Sequence, residues 1–174
     1  MKENLNFELL QERSRRLAQK TYLPEEIKDA INIVVFALGN ETYAVEVQKI
    51  KAIQPYENAT RLPGLPPIVV GVINISGTIY TLIDLKQIFG QEATPDQAHH
   101  LIIIDHNALK VGFLVDEILD YRIISRKEIQ SNLTGIKSKQ KGFIIGMLKN
   151  STVLIDVLNI LSEINRLINK IQGE

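Results

Sequence analysis

The sequence predicts a mainly β protein: two small β-barrel subdomains sharing a core, with a C-terminal helix and an N-terminal helical extension. Three observations predict it. Short β-branched runs are separated by turn signals from Ile31 onward, which favours small barrels over open sheets. The order of those runs recurs along the chain, so two similar modules are expected. The last residues, by contrast, carry apolar side chains at helical spacing.

Residues 1–30 differ in character from the rest. Phe7, Leu10, Ser14 and Leu17 fall three and four apart, which suits a short helix with a narrow seam, and Thr21-Tyr22-Leu23-Pro24 ends it. Basic residues there (Lys2, Arg13, Arg15, Arg16, Lys20, Lys28) are balanced by acidic ones (Glu3, Glu8, Glu12, Glu25, Glu26, Asp29), which argues against a membrane-surface helix. Strand character begins with Ile31–Leu38 and turns at Gly39-Asn40. Tyr43, Val45 and Val47 then alternate with Ala44, Glu46 and Gln48, the period-2 signature of a half-buried strand. Arg61-Leu62-Pro63-Gly64-Leu65-Pro66-Pro67 reads as a loop, because proline cannot donate to a ladder. Strands resume over Ile68–Ile75 and, after Ser76-Gly77-Thr78, over Ile79–Leu85.

The recurrence has a measurable offset. Shifting by 68 positions superposes Phe36 on Ile104, Tyr43 on Val111, Val45 on Phe113, Val47 on Val115 and Ile50 on Ile118. A shift of 72 lays Leu82-Ile83-Asp84-Leu85 on Leu154-Ile155-Asp156-Val157, and Ile73 and Ile75 on Ile145 and Met147. The expected subdomains are therefore about 31–97 and about 98–156, followed by a helix over about 157–172. Modules of that length bury little apolar surface alone, so they should form one cooperative unit. Val157, Ile160, Leu161, Ile164, Leu167, Ile168 and Ile171 give the helix a stripe that should pack across the barrels.

Composition excludes several function classes. With no cysteine there is no disulfide framework, thiol nucleophile or cysteine zinc site. Basic and acidic residues number 20 each, so the overall basic excess of a nucleic-acid binder is missing. No run approaches the eighteen or so apolar residues of a membrane span, and no signal-peptide core opens the chain; it is expected in the cytoplasm, without membrane insertion. His99 and His100 are adjacent in an incoming strand and point to opposite faces, while His106 sits at a turn; no metal site is expected. Asp84 and Asp156 occupy equivalent positions, where each is expected to end a strand and cap the segment that follows. No nucleophile elbow, P-loop or dinucleotide fingerprint occurs. Neither a catalytic residue nor a cofactor is expected. Lys137-Ser138-Lys139-Gln140-Lys141 reads as a solvated basic loop.

Gly71-Val72-Ile73-Asn74-Ile75-Ser76-Gly77-Thr78-Ile79-Tyr80-Thr81-Leu82-Ile83-Asp84-Leu85 resembles the strand–turn–strand pattern of the CheW family of chemotaxis coupling proteins, Gly-Val-x-Asn-Leu-Arg-Gly-x-Ile-x-Pro-hydrophobic-hydrophobic-Asp-Leu. Val34–Tyr43 and Val111-Gly112-Phe113-Leu114-Val115-Asp116 are similar to family segments in the same order, and the resemblance runs from Ile31 to about Asn165. It implies two SH3-like barrels and a non-catalytic adaptor. The implied partners are the regulatory domain of a CheA-type histidine kinase and the cytoplasmic tip of a methyl-accepting chemoreceptor, in arrays at the inner membrane face. Mapped onto this chain, Val47, Ile50, Ala52, Gly71, Ser76 and Tyr121 fall where receptor-facing or groove-supporting residues are expected. Ala59, Thr60 and Arg61 fall where kinase contacts are expected. Two departures stand out: Ser76 replaces the family's usual Arg, and Ala52 replaces a frequent Glu. A small β-barrel binding RNA or a small ligand is the alternative reading.

Overall fold

The computed structural model describes residues 29–94 and 98–172. The expected N-terminal helix lies outside the described residues. Ile31–Glu174 form one compact unit. Ten strands appear in it: β1 (Ala30–Leu38), β2 (Glu41–Glu46), β3 (Ala52–Pro55), β4 (Val69–Ile75), β5 (Thr78–Asp84), β6 (His100–His106), β7 (Leu109–Val115), β8 (Glu117–Ser125), β9 (Ile144–Met147) and β10 (Val153–Ile155). Short helices α1 (Leu85–Ile88) and α2 (Ser138–Lys141) follow β5 and precede β9, and α3 (Val157–Gln172) closes the fold.

The strands make two five-stranded sheets, in the orders β8-β1-β2-β10-β9 and β3-β6-β7-β5-β4. Replacing each strand by its counterpart in the other repeat converts one order into the other. The sheets, however, do not divide at 97/98. The β1–β2 hairpin completes the sheet of the second repeat, and β6–β7 completes that of the first. This corrects the expected subdomains 31–97 and 98–156: each barrel is built from both halves of the sequence. The parallel junctions keep the same register in both. Tyr43 and Ala44 of β2 face Val153 and Leu154 of β10, as Val111 and Gly112 of β7 face Thr81 and Leu82 of β5. Those pairs are related by the offsets of 68 and 72 read from the sequence.

Each sheet curls into a small SH3-like barrel because its edge strand bends across to the opposite edge. Residues 52–55 pair with β6, and further along Thr60 bridges Val72 of β4. In the other barrel Gln130 bridges Met147 of β9 in the same way. Here the sequence offset fails. Gly71 and Val72 correspond to Gly146 and Met147, a shift of 75 and not 72, so Ile73 and Ile75 have no counterparts at Ile145 and Met147. The reason is hairpin length: Ile75 pairs with Thr78 across a turn of Ser76 and Gly77, whereas Met147 pairs with Val153 across residues 148–152. The β4–β5 hairpin consequently projects further than β9–β10.

Alternation along two-faced strands explains why β1 and β6 read as unbroken apolar runs. Ile33 and Val35 fill one barrel with Ala44 and Leu154; Leu101 and Ile103 fill the other with Tyr80, Leu82 and Leu114. Intervening residues point the other way, into a third cluster shared by the barrels: Val34, Phe36, Leu38, Tyr43 and Val45 with Ile102, Ile104, Val111, Phe113 and Val115. Val157, Ile160, Leu161 and Ile164 of α3 belong to this shared cluster, so the helix packs where its stripe predicts. Both barrel interiors are occupied by side chains, which leaves no ligand chamber inside them.

A desolvated ion pair also ties the halves together. Lys86 of α1 is 4% exposed, and its ammonium lies 2.8 Å from Asp116 and donates to Thr94 Oγ1 at 2.6 Å. The other Asp116 oxygen accepts the Gly39 N–H at 2.6 Å, in the β1–β2 turn. Three segments distant in sequence thus meet on one carboxylate. Asp84 and Asp156 cap as the sequence predicts: Asp84 accepts the Lys86 N–H at 2.9 Å and Asp156 the Asn159 N–H at 3.1 Å. Burial raises the Asp84 carboxyl above its ordinary range despite that bond.

Two outcomes follow from the exchange of hairpins and from the ion pair. Residues 31–97 expressed alone lack β6–β7 and should show weak near-UV dichroism and no cooperative melt; a sharp melt would contradict the shared core. Asp116→Ala strands the Lys86 ammonium and should cost roughly 3 kcal/mol in urea denaturation, whereas Lys86→Met with Asp116→Leu should cost much less, because removing both charges removes the desolvation penalty.

Candidate interaction surface

The residues singled out from the sequence fall in several places: Val47 and Ile50 at the rim of the shared cluster, Ala52 on β3, Ser76 on the projecting hairpin, Gly71 and residues 59–61 where the first barrel closes, and Tyr121 on β8. After β2 the chain takes a 3-10 turn, Val47–Lys49, closed by the Ile50 N–H donating to the Val47 carbonyl at 2.9 Å. Val47 and Ile50 are half-buried against the shared cluster, and so is Ile118, the counterpart of Ile50. They line the seam between the barrels. Ala52 is exposed at the start of β3, with Ile53 (38% exposed) beside it. The Lys51 N–H donates to the Ile103 carbonyl at 2.8 Å, and Ile103 is the residue that Ala52 already faces, so Lys51 and Ala52 bulge together at the entry to β3.

Ser76 sits at the tip of the β4–β5 hairpin. Ser76 and Gly77 have φ of 50° and 84°, and a two-residue turn with both central residues at positive φ is of type I′. Asn74 secures it by accepting the Gly77 N–H on Oδ1 at 2.9 Å. Ile79 lies just beyond and is 54% exposed. Ala52 and Ser76 belong to β3 and the β4–β5 hairpin, the two edges of one sheet.

Gly71 is buried. A Cβ there would run into the Thr60 carbonyl, and the Ala59 Cβ lies 3.3 Å away. Its part is to let the 59–61 segment close the barrel, and it therefore supports the surface from beneath. Thr60 and Val72 exchange two backbone bonds of 2.9 Å, which fix the backbone while the Thr60 and Arg61 side chains face solvent. Ala59 packs on the barrel core. Gly71, expected on the receptor side, is thus joined directly to residues expected on the kinase side.

Tyr121 stands on the edge strand β8 and is 56% exposed, and it is not alone. Leu119 and Ile123, two residues to either side, are 47% and 53% exposed on the same face. The sequence reading singled out neither of these, nor Ile53 or Ile79. Their alternation was visible, but alternation does not say which face turns outward. Contiguous exposed apolar side chains of this size mark surfaces that meet partners.

Among the described residues no three His, Asp or Glu side chains cluster as metal ligands, and His100 and His106 stand at opposite ends of β6. Burial, then its hydrogen bond to Glu41, pushes the Tyr43 phenol up. It stacks between Phe36 and Phe89 with ring centroids 6.1 and 4.6 Å away, which is a packing role.

A family model described as the CheW-like domain matches residues 32–165. The chain belongs to the CheW-like family. Chemotaxis protein CheW of Bacillus subtilis is 30% identical over 135 residues, covering 77% of this chain and 86% of that one. Chemotaxis protein CheW of Thermotoga maritima is 27% identical, covering 79% and 89%. The crystal structure of the scaffolding protein TtCheW from Thermoanaerobacter tengcongensis superposes with a TM-score of 0.66 at 23% identity, over 78% of this chain and 89% of that one. This CheW-like chain accordingly has the paired-barrel scaffold fold of its relatives.

Gly71→Ala should shift the 59–61 segment and lower stability by about 1–3 kcal/mol, because backbone is what the added methyl meets. Equilibrium unfolding measures it, and Gly146→Ala, against the Gln130 carbonyl, should behave alike.

Proposed function

We propose that this CheW-like chain is a non-catalytic chemotaxis scaffold that couples the cytoplasmic tip of a chemoreceptor to the regulatory domain of a CheA-type histidine kinase. The observation that carries this reading is the apolar surface left open on β3 and beside the β4–β5 turn, Ile53 and Ile79, and on β8 of the other barrel, Leu119, Tyr121 and Ile123. Open apolar faces beside a seam suit an amphipathic helix, which seats one face in a groove. Val47, Ile50, Ala52, Ser76 and Tyr121 form the receptor side in this reading, with Gly71 supporting them. Ala59, Thr60 and Arg61 form the kinase side, where a pinned backbone presents side chains with little ordering cost on binding. No helix among the described residues is long and apolar enough to cross a membrane, so placement in receptor arrays at the inner membrane face would come from these contacts.

Titrating the full chain separately with a purified chemoreceptor hairpin fragment and with a kinase regulatory domain tests the proposal. Both should bind. Tyr121→Ser should weaken the hairpin alone and Arg61→Glu the kinase domain alone. Restoring both family residues, Ser76→Arg with Ala52→Glu, should change hairpin affinity and leave kinase affinity within error, since interfacial charges select partners by complementarity. Failure of either partner to bind the unmodified chain would refute the coupling role.

A further inference from the structure

Three charged side chains from separate elements converge at one end of the first barrel. Lys51, leading into β3, lies 2.7 Å from Asp105 Oδ2; Lys110, in β7, lies 3.0 Å from the same oxygen. The Lys51 ammonium also sits 5.9 Å above the ring of Tyr80, a buried member of that barrel's core. One carboxylate balances only one of the two ammonium groups, so the cluster carries a net positive charge. Lys51 and Lys110 remain 51% and 42% exposed, with donors still turned to water. Asp105 holds the Lys51 ammonium above its ordinary range, with Tyr80 contributing, and is itself held low by the two lysines. Lys51 is therefore held in its charged form. Such exposed pairs add little to stability, and the fold alone does not account for them.

The repeat shows what is particular about the position. At the offset of 68, Lys51, Ile53 and Pro55 correspond to Leu119, Tyr121 and Ile123. Where the second barrel has Leu119, the first has a lysine. That lysine adjoins Ala52, and with Ser76 the family's usual charges are absent from both sites.

We propose that Lys51 and Lys110, bridged by Asp105, form the charged recognition element of the first barrel, receiving a carboxylate on an amphipathic helix whose apolar face lies along Ile53. This rests on the receptor-coupling reading and names the chemistry of its partner: an acidic position on the receptor tip next to an apolar stripe. The kinase domain is not the occupant, because the 59–61 segment lies across the barrel against β4.

The test uses the full chain and the purified receptor hairpin fragment, with the kinase regulatory domain as control. Lys51→Gln with Lys110→Gln should weaken hairpin binding by about five- to tenfold at low salt and flatten its dependence on ionic strength, with kinase affinity and melting temperature unchanged. Asp105→Asn, which frees both ammonium groups, should strengthen hairpin binding. If the unmodified chain binds the hairpin and the double variant binds it equally well, the recognition element is refuted while the coupling role stands. Equal losses toward both partners, or a loss only toward the kinase domain, also overturn it. If the unmodified chain does not bind the hairpin, both readings fall together.

Discussion

Neither sheet of this protein can be completed by the strands of one repeat alone. The β1–β2 hairpin lies in one barrel with β8 to β10, while β3 to β5 are joined in the other barrel by the β6–β7 hairpin of the second repeat. The exchanged hairpins are also the strands whose second faces meet, so Phe36, Tyr43 and Val45 join Ile104, Val111 and Phe113 in one buried layer. Hydrogen bonding and hydrophobic burial thus impose the same constraint. A barrel without the other repeat would lose two strands and expose an aliphatic face, each large side chain of which contributes about 1.5–3 kcal/mol when buried. The closing helix and the position of the seam both depend on that layer.

Polar groups near the layer are few, and each holds a junction. Asp116 joins α1, the β1–β2 turn and the start of β8 through one carboxylate. Its worth lies less in net stability, since buried ion pairs offset their own desolvation, than in fixing which segments meet. Asp84 and Asp156 perform the same local task at the two strand-to-helix corners, which explains why the repeat places an Asp at both.

The repeats cease to match at the surface. A longer β4–β5 hairpin presents Ser76 and Ile79 on one barrel only, and β8 exposes Leu119, Tyr121 and Ile123 where the shorter β3 exposes Ile53. Pseudo-symmetry constrains the core because both halves must fit one shared layer. Exposed faces carry no such constraint, and two equivalent strands can therefore present different chemistry to different partners.

The sequence by itself determined the class of fold, the two offsets that align the repeats, the helical stripe and the capping aspartates, because alternation, helical spacing and turn residues are local and print directly on the chain. The family was legible for the same reason, through the hairpin pattern around Gly71–Leu85. Strand exchange was not legible: offsets of 68 and 72 describe two contiguous halves and two exchanged ones equally well, and only the parallel pairings of β2 with β10 and of β5 with β7 separate them. Gly71 looked like part of a surface motif until the Thr60 carbonyl was found against it. Leu119, Tyr121 and Ile123 alternate as a buried face would, and tertiary packing turned that face outward, since the strand's other side already had Ile118 and Ile124 to bury. Period two fixes which side chains travel together; which of the two faces meets water is decided by what the rest of the chain brings to cover it.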